Sequence, residues 1–480
     1  VEAGAVTWAS FSGTGGGPAS PGIPYLLPSG KVLIADMVSL GQWWTLTPDP
    51  DGRYVTGHLE RIADSPVGRI YFCGGVDLSG NVIMCGGEYS TSGVNGTDST
   101  SAVQEFDTAS ETWKTLRPPL SWQTNFKVGD GSGLVLADGT YLTSCINSNV
   151  IQILSASGTW TSTFAWPGTS PDEGTWVRLR SGAVIAIETE VTPSHGYRFR
   201  DAANGWVDCG ATNPDIADHA NAEMGAGLML ADGRVIFVGA LGKSTIYTEP
   251  VVASDPGSFA AGPVLPMNGT GDQYVQEDAP AVLMPSGKSL WCAATITGPY
   301  DGCHFFELDA LAAGPFVEVS RPAAAAGEQT FVTMLLQLPD GDVLWTTFAG
   351  GLQFYTPGGS PDPSWAPTIA SAPSSVTAGE SYGISGTQFA GLGASQGYGD
   401  DYTAATGYPL VRATHVASGR VQFWRTSGYS TLAYGPSVPG AATFHVPLDA
   451  RLGDTSCEVV VNGIASAPFL LTVAPMGAVL

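Results

Sequence analysis

Short apolar runs alternate along this chain with tight polar turns that end in glycine, and one version of the pattern recurs seven times. The copies run over residues 25–36 (YLLPSGKVLIAD), 76–87 (VDLSGNVIMCGG), 134–145, 177–188, 228–239, 281–292 and 335–346. Each reads as two strands and a hairpin, with Gly30, Gly80, Gly139, Gly182, Gly233, Gly287 and Gly341 at the turns. Asp-Gly and Ser-Gly supply the positive φ that such a turn requires. The flanking runs are too apolar for half-exposed strands, so the pattern predicts strands covered on both faces.

The turn glycines recur every 43 to 59 residues, around the kelch period of about 50. A lone four-stranded sheet cannot bury both faces, whereas sheets stacked around an axis can. The repeat therefore predicts an all-β fold, a seven-bladed kelch-type β-propeller over residues 1–362. Aromatics after the hairpins, such as Phe106, Trp113, Trp160, Trp206 and Tyr355, read as packing between blades. The isolated run VTWASF (6–11) is expected to close the ring as the outer strand of the last blade. Pro361, Pro363 and Pro367 mark a linker, and residues 366–475 read as an immunoglobulin-like β-sandwich of short strands.

Composition narrows the partners. The 480 residues carry 43 Asp+Glu against 19 Lys+Arg, a net charge of -24. Nucleic acid binding needs cationic surface to displace counterions, which this chain lacks. No apolar stretch approaches 18 residues, so no membrane insertion is expected. The acidity, and a chain beginning at Val1 as a processed protein would, point to a secreted or cell-surface location. The sequons at Asn95 and Asn268 would matter only in a eukaryotic secretory route. None of the seven cysteines forms a C-x-x-C motif. Cys292 with Cys303, and Cys73 with Cys85, flank turns and could bridge neighbouring strands. No two histidines have metal-ligand spacing, G-x-S-x-G is absent, and GTGGG (13–17) lacks the Lys-Ser/Thr of a phosphate loop.

The seven repeats, RIYFCGGVDLSGNVIMCGG (69–87), PLVRATH (409–415) and GIASAPFLLTV (463–473) resemble the galactose oxidase family. The resemblance spans roughly residues 5–475 and implies a seven-bladed kelch propeller with a C-terminal immunoglobulin-like domain. Oxidases of that family hold copper with two tyrosines and two histidines, one tyrosine being cross-linked to a cysteine. Cys73 matches that cysteine. Gly129 and Asp130 stand where the cross-linked tyrosine would fall, and Phe331 and Val332 where a Tyr-His pair would. The remaining histidine corresponds to His415 or, in another alignment, to Ser427. Phe and Val offer copper no donor, so the resemblance implies the fold without the copper-radical activity.

Positions just before each innermost strand should face the axial mouth. They include Cys73, Asp130, Asp172 or Glu173, Glu223, Glu277 or Asp278, and Glu328 or Gln329. Three readings fit these acids. They cap turns and face water, or they hold Ca²⁺ or another hard cation, or two of them act as an acid/base pair on a glycan. For such a pair the choice is Glu223 and Glu277, with Asp218 and His219 of ADHANAE (217–223) assisting. The leading expectation is a non-catalytic protein that binds glycan or another extracellular partner through its loops. The alternatives are a carbohydrate-active hydrolase or lyase with an acidic mouth, and a structural subunit of an extracellular assembly.

Overall fold

A computed structural model describes residues 7–91, 99–119, 122, 128–129, 131–145, 148–201, 203–298, 300, 302–393, 396–397 and 406–476. The sequon at Asn95 lies outside them. The chain is all-β, and most of it forms antiparallel four-stranded sheets, as in a β-propeller. The first sheet runs Pro21–Leu26, Val32–Asp36, Trp43–Thr47 and His58–Arg61. The next five begin at Cys73–Val76, Gly133–Val135, Trp176–Arg178, Gly227–Met229 and Ala281–Leu283. The seventh joins Met334–Gln337, Val343–Thr347 and Gly351–Thr356 to Thr7–Ser10, with Trp8 opposite Tyr355.

Each of the seven repeated turns links the first two strands of a sheet, and its glycine has φ between 76° and 98°. At Gly80 the amide donates to Asp77 O (3.0 Å) and the Asp77 amide to Asn81 O (2.9 Å). That is a type I turn closed by a left-handed residue, a conformation that favours glycine.

The first strands lie side by side from the second sheet through to the seventh, and the seventh returns to the first. Tyr25 of the first sheet covers Gly74 of the second, completing the circuit. Large aromatics fill the seams. Trp8 packs on Phe305, Trp345 and Tyr355 at 4.7–5.8 Å, and its Nε1 donates to Ser320 O (2.6 Å). Trp43 meets Trp113 at 5.1 Å.

Residues after the linker form two further sheets. One holds Thr368–Ser371, Ser381–Thr387, Pro439–His445 and Thr426–Ser427; the other is built on Leu410–His415, Gly453–Val461 and Phe469–Ala474. This unit docks on the glycine-turn end of the first sheets. Thr426 N donates to Pro28 O (3.2 Å) and Tyr429 N to Leu78 O (2.9 Å). Arg178 donates to Val135 O and Leu432 O and lies 4.0 Å from the Tyr434 ring centre. One segment reaches further. Gln396–Gly397 pairs with Val282 and Ala281, the first strand of the sixth sheet.

All seven cysteines are buried free thiols, including the two pairs that flank turns. Among the described residues no helix is long and apolar enough to cross a membrane.

Trp8 is half-buried, and it is the main apolar anchor of the closing strand. Trp8→Ala should lower unfolding free energy by about 2–3 kcal/mol, somewhat below the loss for a fully buried tryptophan. Urea denaturation checks this; an unchanged midpoint would mean the strand does not hold the ring.

Candidate functional site

Each first strand runs from the residues that precede it toward the glycine turn, and the turns face the C-terminal unit. The residues before the first strands therefore gather at the opposite mouth. Three acids from successive sheets converge there. Glu173 precedes the fourth sheet, Glu223 the fifth and Asp278 the sixth. One carboxylate oxygen from each lies within 4.8 Å of the other two, and all three residues are half-buried.

Local backbone aims them. Glu173 has φ of 53° and Asp278 of 40°, left-handed values that are unfavourable for residues with a Cβ. Such a conformation costs about 1 kcal/mol or more and persists where the surroundings hold it. The Asp278 amide donates to Met224 O (3.2 Å), tying the approaches of the fifth and sixth sheets together. Glu223 ends a small loop closed by its backbone bonds with Asp218, at 2.8 and 3.1 Å. The Asp218 carboxylate accepts from Ala220 N and Asn221 Nδ2, so it braces that loop.

Glu277, paired with Glu223 on sequence grounds, lies outside this trio. It is buried and accepts from the Tyr300 hydroxyl (2.9 Å). Burial raises its pKa, the Tyr300 bond opposes the rise, and the Asp218 charge adds to it. Tyr300 has no sequence signal beyond being a loop tyrosine. Burial raises its pKa well above the usual value, and the charges of Glu223, Glu277 and Asp278 add to the shift. It is thus part of the same acidic surroundings.

His219 is a brace. Its Nδ1 faces Thr189 O (2.9 Å) and its Nε2 faces Asp215 Oδ2 (2.8 Å). Both partners only accept, so both ring nitrogens are best used as donors, in the cation. Burial pulls the His219 pKa down, but the bonds to Asp215 and Thr189 outweigh it and the net shift is upward. With both ring nitrogens engaged by Thr189 and Asp215, this side chain holds the loop in place.

Asp130 lies outside the described residues. Glu328 accepts from Phe348 N (3.1 Å) and Ala349 N (2.9 Å) and so caps a turn. Cys73 does not line the mouth, contrary to the sequence expectation. It lies within the first strand of the second sheet, 1% exposed, and its Sγ accepts from the Tyr141 hydroxyl at 2.8 Å. A strand residue that points between sheets is covered by the next sheet.

No family model matches the chain, and no curated protein matches it in sequence. Solved structures do match. A fungal alcohol oxidase of the AA5 family, in complex with copper, is 13% identical, with 98% of this chain and 100% of that one covered and a TM-score of 0.54. A streptogramin B lyase (13% identical, 73% and 97% covered, TM-score 0.48) and the virginiamycin B lyase of Staphylococcus aureus (10% identical, 73% and 99% covered, TM-score 0.48) are more distant. The first likeness shows a galactose oxidase-like β-propeller fold and nothing about activity.

The residues that the resemblance aligns with copper ligands have other surroundings here. Phe331 stands edge-on to Tyr300, with ring centres 5.5 Å apart, and Val332 ends a short 3₁₀ turn. His415 bonds Ser418 and Leu452 O, and Ser427 bonds His445, all within the C-terminal unit. Both are bonded within that unit, of which Gln396–Gly397 pairs with an inner strand. Among the described residues, the one group of three or more potential ligands is the all-carboxylate trio. Oxygen donors of this kind suit a hard cation such as Ca²⁺, whereas copper favours imidazole or thiolate.

Because Asp215 raises the His219 pKa, their pair stabilises the fold below about pH 6.5 and that contribution fades as pH rises through the elevated value. Asp215→Asn should lower the His219 pKa, read by NMR titration of the ring, and flatten stability across pH 6–8. An unmoved titration would show that Asp215 does not hold the cation.

Proposed function

We propose that this chain is a secreted or cell-surface, seven-bladed kelch-type propeller with a C-terminal immunoglobulin-like domain that binds a hydroxyl-rich extracellular ligand, a glycan, through a cation-loaded acidic mouth. In this reading residues 1–362 form the propeller, 366–475 the sandwich, and no copper-radical chemistry occurs.

The observation that carries the reading is the convergence of Glu173, Glu223 and Asp278. Two unit charges at 4.8 Å repel by about 3 kcal/mol at an effective dielectric near 20, and less once solvent screens them. Three such carboxylates are best accommodated by a shared Ca²⁺ or similar ion. With three protein oxygens, such an ion keeps open positions that sugar hydroxyls can fill. A second reading, a hydrolase or lyase, draws on Glu277. Its raised pKa and its bond to Tyr300 suit a proton donor.

Metal-free protein should bind Ca²⁺ with Kd on the order of 10⁻⁴ M by calorimetry, in the range of extracellular sites. Glu223→Gln should weaken it by about tenfold or more, since an anionic ligand is lost. Without Ca²⁺ the same variant should unfold no earlier than wild type, because one repelling charge is gone. Equal thermal midpoints for the wild type in Ca²⁺ and in chelator, with no binding heat, would overturn the cation. Glycan-array binding that requires Ca²⁺ is the expected functional result; cleavage abolished by Glu277→Gln would favour the second reading.

A further inference from the structure

Cys292 and Cys303 flank the connection that delivers Tyr300 to the acidic mouth. Cys292 lies in the strand Ser289–Thr295, and Cys303 immediately precedes His304–Leu308, its antiparallel neighbour in the sixth sheet. The register sets Cys292 opposite Phe305 and Ala293 opposite His304. Cys303 is two residues before Phe305, so its side chain leaves on the face shared by Phe305 and Cys292. Both cysteines are 0% exposed, in one apolar cluster with Phe305, Ala325 and Trp345 between the sixth and seventh sheets. The Cys303 thiol donates to Glu328 O at 3.7 Å, and Cys292 lies near enough to contribute to the rise of its pKa. A disulfide needs them drawn in to about 2.05 Å; Cys303 sits one residue before its strand begins, on the diagonal from Cys292, so closure also moves the backbone at residue 303.

The other facing pair is held differently. Cys73 and Cys85 are direct strand partners, but the Cys73 sulfur accepts from Tyr141 (2.8 Å) and contacts Thr143 Oγ1 (3.4 Å). Those two hydroxyls hold that thiol toward the third sheet, whereas the Cys303 thiol donates to the Glu328 carbonyl (3.7 Å).

We propose that Cys292 and Cys303 form a disulfide that staples the neck of the Tyr300 connection when the chain folds in the presence of a low-molecular-weight disulfide. One cysteine thiolate attacks that oxidant, releasing one small thiol and leaving a mixed disulfide. The second thiolate then displaces the second small thiol. The protein gives up two electrons and two protons, and the oxidant becomes two thiols. In the reduced fold, the neighbouring Cys292 and burial hold the Cys303 pKa well above the usual thiol value. A protonated thiol is a poor nucleophile, so the bridge closes during folding, before the sixth and seventh sheets pack. Once closed, it fixes the backbone on which Gly302 N meets Glu328 O (3.0 Å) and Thr330 N meets Tyr300 O (3.0 Å). The staple does not depend on what the mouth binds.

The test refolds the full chain in a mixture of oxidised and reduced glutathione, or in dithiothreitol, then denatures it, alkylates free thiols and maps the peptides by mass spectrometry. In the oxidised arm five of the seven cysteines should be alkylated, and the peptide holding Cys292 and Cys303 should be lighter by two hydrogens than its unalkylated reduced form. Amide exchange at Ile296, Gly298 and Gly302 should slow by about tenfold relative to the reduced arm, as local opening is restrained. Cys292→Ala should leave Cys303 alkylated; should that variant fail to fold, the wild-type map decides alone. Alkylation of both Cys292 and Cys303 after oxidative folding, with or without a bridge elsewhere, would overturn the proposal. Calcium binding in the reduced arm separates this outcome from the fate of the cation reading.

Discussion

A sheet that is apolar on both faces has no stable place in water except between two others. The strands here are of that kind: Val32–Asp36, Val184–Glu188 and Val343–Thr347 are buried along their whole length. Each sheet must therefore have a neighbour on either side, and only a closed circuit provides that for every one. Closure in turn needs a join between the start of the chain and the seventh sheet, and Thr7–Ser10 supplies it by pairing with Gly351–Thr356. The rest of the molecule is arranged around this need for coverage.

The mouth chemistry follows from the circuit. Because each first strand starts at the same end, the residues entering those strands are forced into one small area. Acids there cannot avoid one another, and Glu173, Glu223 and Asp278 meet as a trio. The frame is galactose oxidase-like, and the three acids it brings together offer carboxylate oxygens. Tyr300 and Glu277 form a second layer beside the trio, and the cysteine pair lies at the base of the connection that carries Tyr300.

Much of the scaffold is legible in the sequence because its signals are local. A Ser-Gly or Asp-Gly turn between two apolar runs can be read without a partner, and each such turn carries a positive-φ glycine joining two paired strands. The positions before those strands are legible too, and they narrow the 43 acids to a few, among them Asp172 or Glu173, Glu223, and Glu277 or Asp278. What is not legible depends on long-range geometry. Whether Glu277 or Asp278 turns to the trio rests on a backbone φ of 40° at Asp278, a choice imposed by the neighbouring sheet. The pairing of Gln396–Gly397 with an inner strand is invisible in a run of Gly, Ala, Ser and Gln that reads as loop. Cys73 reads as a mouth residue by position, yet the third sheet covers it.

The claim on which the functional account rests is that this mouth is an oxygen-lined cation site. Anomalous diffraction from crystals grown with Ca²⁺ and, separately, with Cu²⁺ addresses it most directly. The account predicts a calcium peak about 2.3–2.6 Å from oxygens of Glu173, Glu223 and Asp278, and no copper peak at the mouth. A copper ion bound there by nitrogen and phenolate donors, or a trio whose carboxylates face only water at millimolar Ca²⁺, would contradict it.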